Sequence, residues 1–491
     1  MQDLGDMEDI AQSSFFTKKA PSSPHHYSFS DEEVVRVRQH LLIFYDRDRR
    51  MLPWRGDTVD GAVPPPPSAY GTWVSEIMLQ QTRVETVISY WHRWMQRFPT
   101  VSSLAAASPD EVNAVWAGLG YYRRAQNLLR GAQKVAADFG GSVPSDAKQL
   151  LDIPGVGPYT AGAIGSIAFN QPVPLVDGNV IRVFARLRAI TLEQGNSAMD
   201  KACWALAQAL VDPVRPGDFN QALMELGATV CTPKSPNCDK CPVNSLCHAR
   251  AIVKYNERKG LATDPSDVTY FPRKLEKKKP REIALSVAVV LLVDPSGDAR
   301  LNRFLFFRRS AEGLLAGQWQ FPSATVWEGE GGEAPPEVLS KEELWTPLRE
   351  YLEEGGLSVA LDSAAPTSTT NPSTSTNPTV VAKEELALSS MGQSLDPIVH
   401  VFSHQRHTMH VRIYRALSIS SSVHGGSARW MTAEEIVAAG ITSGCKKILD
   451  AVLARGTGPR KVQAKLSFGK AASSSSKRAK VDLKEVIVID D

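Results

Sequence analysis

QLLDIPGVGPYTAGAIGSIAFNQPVPLVDGNVIRVFA, residues 149–185, is the stretch around which the rest of the chain arranges itself. Leu150, Leu151 and Ile153 close one helix, Pro154-Gly155-Val156-Gly157 turns, and Pro158 opens a second helix with proline at its first position. Gly155 and Gly157 are expected to adopt backbone angles that other residues resist, leaving amide N–H groups outward at a helix N-terminus. Such a turn is a phosphate-sized anion site. The second helix is rich in Ala and Gly, so it can pack closely and lie buried. Val173-Pro174-Leu175-Val176-Asp177-Gly178-Asn179 then sets a carboxylate just before a new helical run. Alone, a PGVG turn is an ordinary helix connection; the aspartate at this distance gives it chemical meaning.

At 491 residues, 43% hydrophobic and 22% charged, the chain has room for two or three globular domains. A formal charge of +2 is nearly neutral, so any affinity for nucleic acid has to come from a local face. No apolar run approaches the ~20 residues of a membrane span. The acidic N-terminus (Asp3, Asp6, Glu8, Asp9) fits neither a secretory signal nor an acid-poor transit peptide. An intracellular protein is expected.

Residues 1–28 read as a disordered polar leader. A capped helix follows from Ser30, and Leu52-Pro53-Trp54-Arg55 leads into a proline-rich loop. Tyr70 to Thr82 reads as a helix that sets Glu76 among Trp73, Ile77, Met78 and Leu79. A carboxylate in that company is expected to hold its proton, as a general acid must. On its own Glu76 reads better as a residue on the solvated face of an amphipathic helix. Paired with Asp177, it supplies one protonated and one ionised carboxylate, the equipment for breaking a glycosidic bond. Gly118-Leu119-Gly120-Tyr121-Tyr122-Arg123-Arg124 sets aromatics beside arginines, the residue types that stacking and phosphate contacts require. The chain is expected to be helical from Asp177 to about Val211, and again from Phe219 to Thr229.

Cys231, Cys238, Cys241 and Cys247 follow the pattern C-x6-C-x2-C-x5-C, while Cys203 and Cys445 stand apart. Four clustered thiols in a chain of this kind read as a metal site before disulfides. They fit zinc or an iron–sulfur cluster, and spacing alone leans to zinc, the commoner class.

LPWR, WVSEIMLQQT, GLGYYRRA, IPGVGPYTAGAI, VDGNVIRV and FNQALMELGA, in that order and followed by the four cysteines, resemble the catalytic region of adenine DNA glycosylases of the MutY type. The hairpin and its aspartate are similar to the helix-hairpin-helix plus Gly/Pro-rich Asp motif of base-excision glycosylases. The resemblance implies a [4Fe-4S] cluster on Cys231, Cys238, Cys241 and Cys247 that braces a DNA-contacting loop. It implies Glu76 as the acid that protonates adenine, Asp177 as the carboxylate that stabilises the sugar cation, and Asn179 and Tyr159 as their supports. Gln81 and Tyr121 match residues inserted into the base stack, and Gly155 and Gly157 the hairpin that holds the DNA backbone. Strand-cutting relatives of the endonuclease III type carry lysine where this chain has Tyr159, so hydrolysis without strand cleavage is expected.

Residues 251–282 form a charged connector, and from Ile283 the apolar period becomes strand-like. Two strand runs, GLLAGQWQFP, a helix near Lys341 to Gly355, and Arg349-Glu350-Tyr351-Leu352-Glu353-Glu354 together resemble a Nudix domain. The upstream glutamate and glycine slots of its hydrolase box hold Lys341 and Pro335, so diphosphate hydrolysis is not expected. Phe402-Ser403-His404 matches the loop with which the family inspects 8-oxoguanine. Residues 363–382 are a Ser/Thr/Pro-rich insertion.

The expected fold class is therefore multi-domain. An all-α helix-hairpin-helix glycosylase region with an iron–sulfur loop (29–250) precedes an α+β Nudix-like domain (283–455) and a disordered tail (456–491). In the tail, Lys477-Arg478-Ala479-Lys480-Val481 resembles a nuclear-import signal, and Val486 to Asp491 a SUMO-interacting motif. Gln463, Leu466 and Phe468 loosely echo a sliding-clamp motif. The expected substrate is double-stranded DNA with adenine opposite 8-oxoguanine or guanine, bound by a monomer in the nucleus, with the mitochondrion as a second expected location.

Overall fold

The computed structural model describes residues 27–59, 61, 63, 65–261, 264–274, 279–310, 315, 317–329, 333–336, 338–354, 357–361, 384–402, 404–416, 428–439 and 441–455. Ser403, the insertion 363–382, the leader up to residue 26, and the import-like, SUMO-like and clamp-like segments of the tail lie outside them. The chain divides into two compact units, one comprising the residues up to Ser108 with Arg124–Lys277, the other Pro109–Arg123 with the residues from Lys278 onward.

The first unit is helical: α1 (Asp31–Asp48), α2 (Ala69–Leu79), α3 (Val84–Arg97) and α4 (Val101–Ala105) precede α5 (Pro109–Trp116), which groups with the second unit. The helical unit continues with α6 (Arg123–Asp138), α7 (Ala147–Leu151), α8 (Pro158–Phe169), α9 (Gly178–Leu187), α10 (Ser197–Leu210), α11 (Pro216–Thr229) and α12 (His248–Lys259). Local chemistry sets the boundaries. Ser30 and Glu33 form a capping box on α1, Ser68 caps α2, and Pro158 stands in the first turn of α8. Asp177 caps α9 through its side chain. The core joins Leu41 and Phe44 of α1 to Val180, Val183 and Phe184 of α9, and to Phe219, Leu223 and Leu226 of α11.

Two expectations need correction. The helix from Asp177 to Val211 is interrupted over 188–196, because Ala189 takes a left-handed φ of 48° and the chain turns before Asn196 caps α10. In the hairpin only Gly155 needs glycine, with φ +83° and Asn127 Cβ 2.6 Å from where its Cβ would stand. Gly157 is extended (φ −99°, ψ −178°), a conformation open to any residue.

The second unit is built on a mixed sheet. Its strands are β1 (Arg281–Leu292), β2 (Arg303–Arg308), β3 (Trp319–Gln320), β4 (Ser323–Gly329), β5 (Leu357–Leu361), β6 (Glu384–Ser394), β7 (Ile398–Val401), β8 (Gln405–Ala416) and β9 (Ala428–Thr432). The main path runs β3-β2-β1-β8-β6-β5, with β4 on β1, β7 on β8 and β9 on β2. β1 lies parallel to β8 from Arg281 opposite Gln405 to Leu291 opposite Arg415. Because side chains alternate across a strand, Val287, Val289 and Leu291 join one core with Ile448, Leu449 and Val452, while Ala288 and Val290 join another with Leu348 and Leu352. The helices that supply those partners are α13 (Lys341–Glu354) and, after α14 (Ala433–Ala438), α15 (Ser443–Ala454). Burial of β1 on both faces is why its sequence is a continuous apolar run.

Candidate active site

Glu76 sits on α2, a helix buried from Tyr70 through Met78. With 5% of its surface exposed, the side chain cannot be solvated as a surface glutamate is. Its Oε2 accepts a hydrogen bond of 2.5 Å from the Tyr159 hydroxyl, which α8 delivers from its first turn. Met224 Sδ of α11 lies 3.3 Å from the same hydroxyl. Burial pushes the Glu76 carboxyl up to about 7, against the Tyr159 hydrogen bond; the Asp177 charge adds to the rise and Arg55 opposes it. Burial, reinforced by the charges of Glu76 and Asp177, also holds the Tyr159 phenol well above its ordinary value, so it stays a donor.

Asp177 is bound differently. Oδ1 accepts from the Val180 N–H at 2.7 Å and Oδ2 from Asn179 Nδ2 at 2.8 Å. Burial raises this carboxyl too, but the two donors and the nearby Arg182 charge pull it back. The carboxylates influence one another and titrate as a pair. Within that pair Glu76 is the member pushed up to about 7, and Asp177 is the one held by a helix N-terminus and an amide. The two carboxyls thus differ in their surroundings: one has a single hydroxyl donor, the other a backbone N–H and an amide.

A second tier of residues holds this pair. Arg182 donates from Nη2 to Asn179 Oδ1 at 2.7 Å and to the Gly227 carbonyl at 2.7 Å, and from Nε to the Cys231 carbonyl at 2.8 Å. Gly227 allows α11 to press here, since a Cβ would stand 2.7 Å from Asn179 Cβ. A continuous run of hydrogen bonds therefore links Asp177, Asn179 and Arg182 to the first cysteine of the loop. Sequence reading passed over Arg182, although its place three residues after Asn179 on one helix face was a usable signal. It also passed over Arg55 and Gln221, which line a polar cleft reaching Glu76, and Glu225 beneath them.

Cys231, Cys238, Cys241 and Cys247 line one cavity together with Val243, and all four are free thiols. A cuboidal cluster needs thiols spread around a larger volume, and the donor set is all sulfur. These four residues would hold it. Arg186 Nη1 donates to Cys231 Sγ at 3.2 Å, a hydrogen bond of the kind that tunes a cluster. Arg250 is tied to Asp239 at 2.6 Å beside the loop.

The expected DNA-facing residues fall into both units. Gln81 and Tyr121 each hold a left-handed backbone, with φ of 56° and 46°, which costs a non-glycine residue energy. Arg124 secures the approach to Gln81 by donating from Nη1 to the carbonyls of Ile77 and Met78, each at 3.0 Å. Gly155 and Gly157 are exposed on the hairpin. Tyr121, Phe402 and His404 belong to the second unit. Phe402, 5% exposed, is packed edge-on to His400 with ring centres 4.6 Å apart, whereas His404 is exposed on the turn between β7 and β8.

A family model described as an HhH-GPD superfamily base excision DNA repair protein matches residues 74–209. One for the iron–sulfur binding domain of endonuclease III matches 231–247, and one for a NUDIX domain matches 298–451. The chain is similar to adenine DNA glycosylase of Rattus norvegicus, 40% identical with 88% of this chain and 80% of that one covered. It is similar likewise to that of Homo sapiens, at 40% with 88% and 76% covered, and of Arabidopsis thaliana, at 40% with 78% and 58% covered. A solved thermostable thymine-DNA glycosylase is 30% identical over 45% of this chain and 98% of its own, with a TM-score of 0.39. With the acid, the anion and the thiol-lined loop in place, the chain belongs to the adenine DNA glycosylase family of base-excision repair.

Proposed function

We propose that this glycosylase removes adenine mispaired with 8-oxoguanine or guanine by hydrolysis alone, leaving an abasic site. The observation that carries the reading is the buried pair: Glu76 under the Tyr159 hydroxyl, coupled to Asp177 held by Val180 and Asn179. The target nucleotide is extruded from the duplex, and its base enters the cleft beside Glu76. Glu76 gives its proton to a ring nitrogen, and the electron pair of the N-glycosidic bond departs with the base. Asp177 balances the cationic sugar until water adds at C1′ and loses a proton. Gln81 and Tyr121 fill the space in the base stack, the hairpin amides at Gly155 and Gly157 take a phosphate, and the loop of Phe402, Ser403 and His404 reads the opposite base.

Tyr159 has no amine, so no Schiff base can form at the position where a lysine would attack the sugar. Single-turnover excision from duplexes with adenine opposite 8-oxoguanine, guanine or thymine tests the reading. Alkali-dependent nicking is expected on the first two, and efficient nicking without alkali or heat refutes the hydrolytic assignment. Action in the nucleus is proposed from Lys477–Val481, and loss of nuclear accumulation on replacing those residues with alanine is the expected result.

A further inference from the structure

The cleft beside Glu76 does not end at the acid. Its volume is 430 Å³, within the size range of small-molecule sites. On α2 its wall follows one helical stripe, Glu76, Thr72 and the capping residue Ser68, each a turn further from the reaction. Exposure changes along that stripe: Glu76 and Thr72 are buried, whereas Ser68 and the neighbouring Pro67 are open to solvent. On α8 the cleft is lined by Ile167 and Ala168 in the last turn, while Tyr159, which touches Glu76, stands in the first. At 1.5 Å per residue these two ends of α8 lie about 13 Å apart. All of these residues belong to the helical unit. The exposed hairpin glycines, Gly155 and Gly157, precede the Tyr159 end, so with a duplex held at the hairpin the cleft still opens at the opposite end.

The lining between those ends suits a flat, uncharged group. Tyr45 and Trp54 supply aromatic surface, on which any base can stack. Ile167, Ala168 and Pro67 add apolar surface that makes no polar demand. The outer end is barred by ions instead. Arg215, at the start of α11, donates from Nη1 to Asp46 Oδ2 of α1 at 2.9 Å and from Nε to Asp218 Oδ2 at 2.8 Å, and all three residues line the cleft. Their side chains are partly exposed. Pairs between groups so wet are weak and part easily, so the bar opens at little cost.

We propose that this second mouth is the way out for the excised base: free adenine leaves between Ala168 and Arg215 while the abasic duplex still occupies the hairpin face. The inference rests on the adenine-excision reading. Once the N-glycosidic bond has broken, the base holds the Glu76 proton and the electron pair of that bond, and is a neutral purine. No ion therefore has to cross the apolar length of the cleft. A site with a single opening must give up the product duplex before the base can escape. A second opening separates the two releases.

The test compares two release rates in the full-length protein. A duplex with tritiated adenine opposite 8-oxoguanine is tethered to beads and bound by excess protein, and free mispaired duplex is then added to capture any protein that leaves. The supernatant is followed for tritium and for protein, and the bead-bound strand for alkali-labile sites. In wild type, tritium is expected to leave the beads roughly tenfold or more faster than the protein does. Ala168→Trp sets an indole in the mouth. It is expected to form alkali-labile sites within about threefold of the wild-type rate, yet to hold the tritium until the protein departs. Asp218→Trp plugs the mouth from α11 at a partly exposed position and is expected to act alike, and the melting temperature of each variant shows that it is folded. Wild-type tritium that leaves no faster than the protein overturns the proposal. So does a folded, excising plugged variant that releases tritium at the wild-type rate. A plugged variant that folds but no longer excises counts against it too, since the mouth would then belong to the reaction and not to the exit. Absence of excision by the wild-type protein itself strikes instead at the parent reading.

Discussion

In the helical unit, side chains that carry charge lie inside: Glu76, Arg186 and Glu225 are buried among Trp73, Phe184 and Phe219. In the C-terminal sheet the core positions of β1, β2 and β8 are Val287, Val289, Phe304, Phe306, Val411 and Ile413, and the candidate reading residue, His404, is exposed on a turn. Burying a charge is costly unless it is partnered, so the helical unit can carry its interior ions only through specific geometry. Glu225 has four donors and is locked as an anion. Glu76 has one hydroxyl and stays protonated to about 7. On the proposed assignment the number of donors on a buried carboxylate separates the scaffold from the reactive group, and the candidate reader of the sheet is an exposed turn residue.

The largest effect expected is on the reacting acid. Glu76→Gln keeps the size and a hydrogen bond to Tyr159 but has no proton to give, and single-turnover excision should fall by roughly 10²- to 10⁴-fold. Binding to the mispair should persist. If the Gln variant excises within tenfold of wild type, proton donation by Glu76 is wrong and the contrast between interior carboxylates loses its meaning.

The same substitution should stabilise the protein at neutral pH. In the folded state Glu76 keeps its proton to about 7, above its ordinary 4.5. Between those values the folded chain holds a proton that the unfolded chain releases, so stability falls as pH rises through that window and is level above it. Gln has no such loss. The unfolding free-energy advantage of the variant should therefore widen from about pH 5 to about pH 8, by an amount of order 1–3 kcal/mol, read from denaturant titrations at each pH. An advantage that is the same at both ends would mean that Glu76 is not held protonated by burial.

Arg182 tests the tier behind the site. Arg182→Gln removes the donor to Asn179 and the bond to the Cys231 carbonyl. Excision should drop roughly tenfold to a hundredfold, the usual range for outer-shell partners of a metal site. Iron content, read from the cluster absorbance, should fall as well, because the loop loses an anchor. Full iron with unchanged excision would show that the loop and Asp177 are independent.

Much of this could be read from the linear chain, and the reason is locality. Asp177, Asn179 and the cap on α9 lie within four residues of each other, and the cysteines within 17 positions, from Cys231 to Cys247. Glu76 was legible only through Asp177, because an acid on a helix is by itself more often solvated. The Arg55, Gln221 and Glu225 cluster was not, since its partners stand up to 175 residues apart and meet only when α11 packs below the loop of Arg50. The break after Leu187 was hidden for another reason: an alanine, not a glycine, takes the left-handed turn. Phe402 shows what a motif leaves out: its ring is buried between His400 and His407, with centres 4.6 and 4.7 Å away.

That burial gives the smallest effect and the finest test of the contrast between interior and rim. His404 is exposed, so His404→Ala should change what the rim reads and little else. The preference for 8-oxoguanine over guanine opposite adenine should shrink by about fivefold, the range of one exposed polar contact, with excision opposite guanine and Tm unchanged. Phe402→Ala empties part of the packing between two histidines and should cost stability, roughly 3 kcal/mol for a buried ring, before it costs discrimination. Should the alanine at 402 leave Tm intact and abolish the preference, the ring would be a reader after all, and the sheet unit, like the helical one, would keep its chemistry inside.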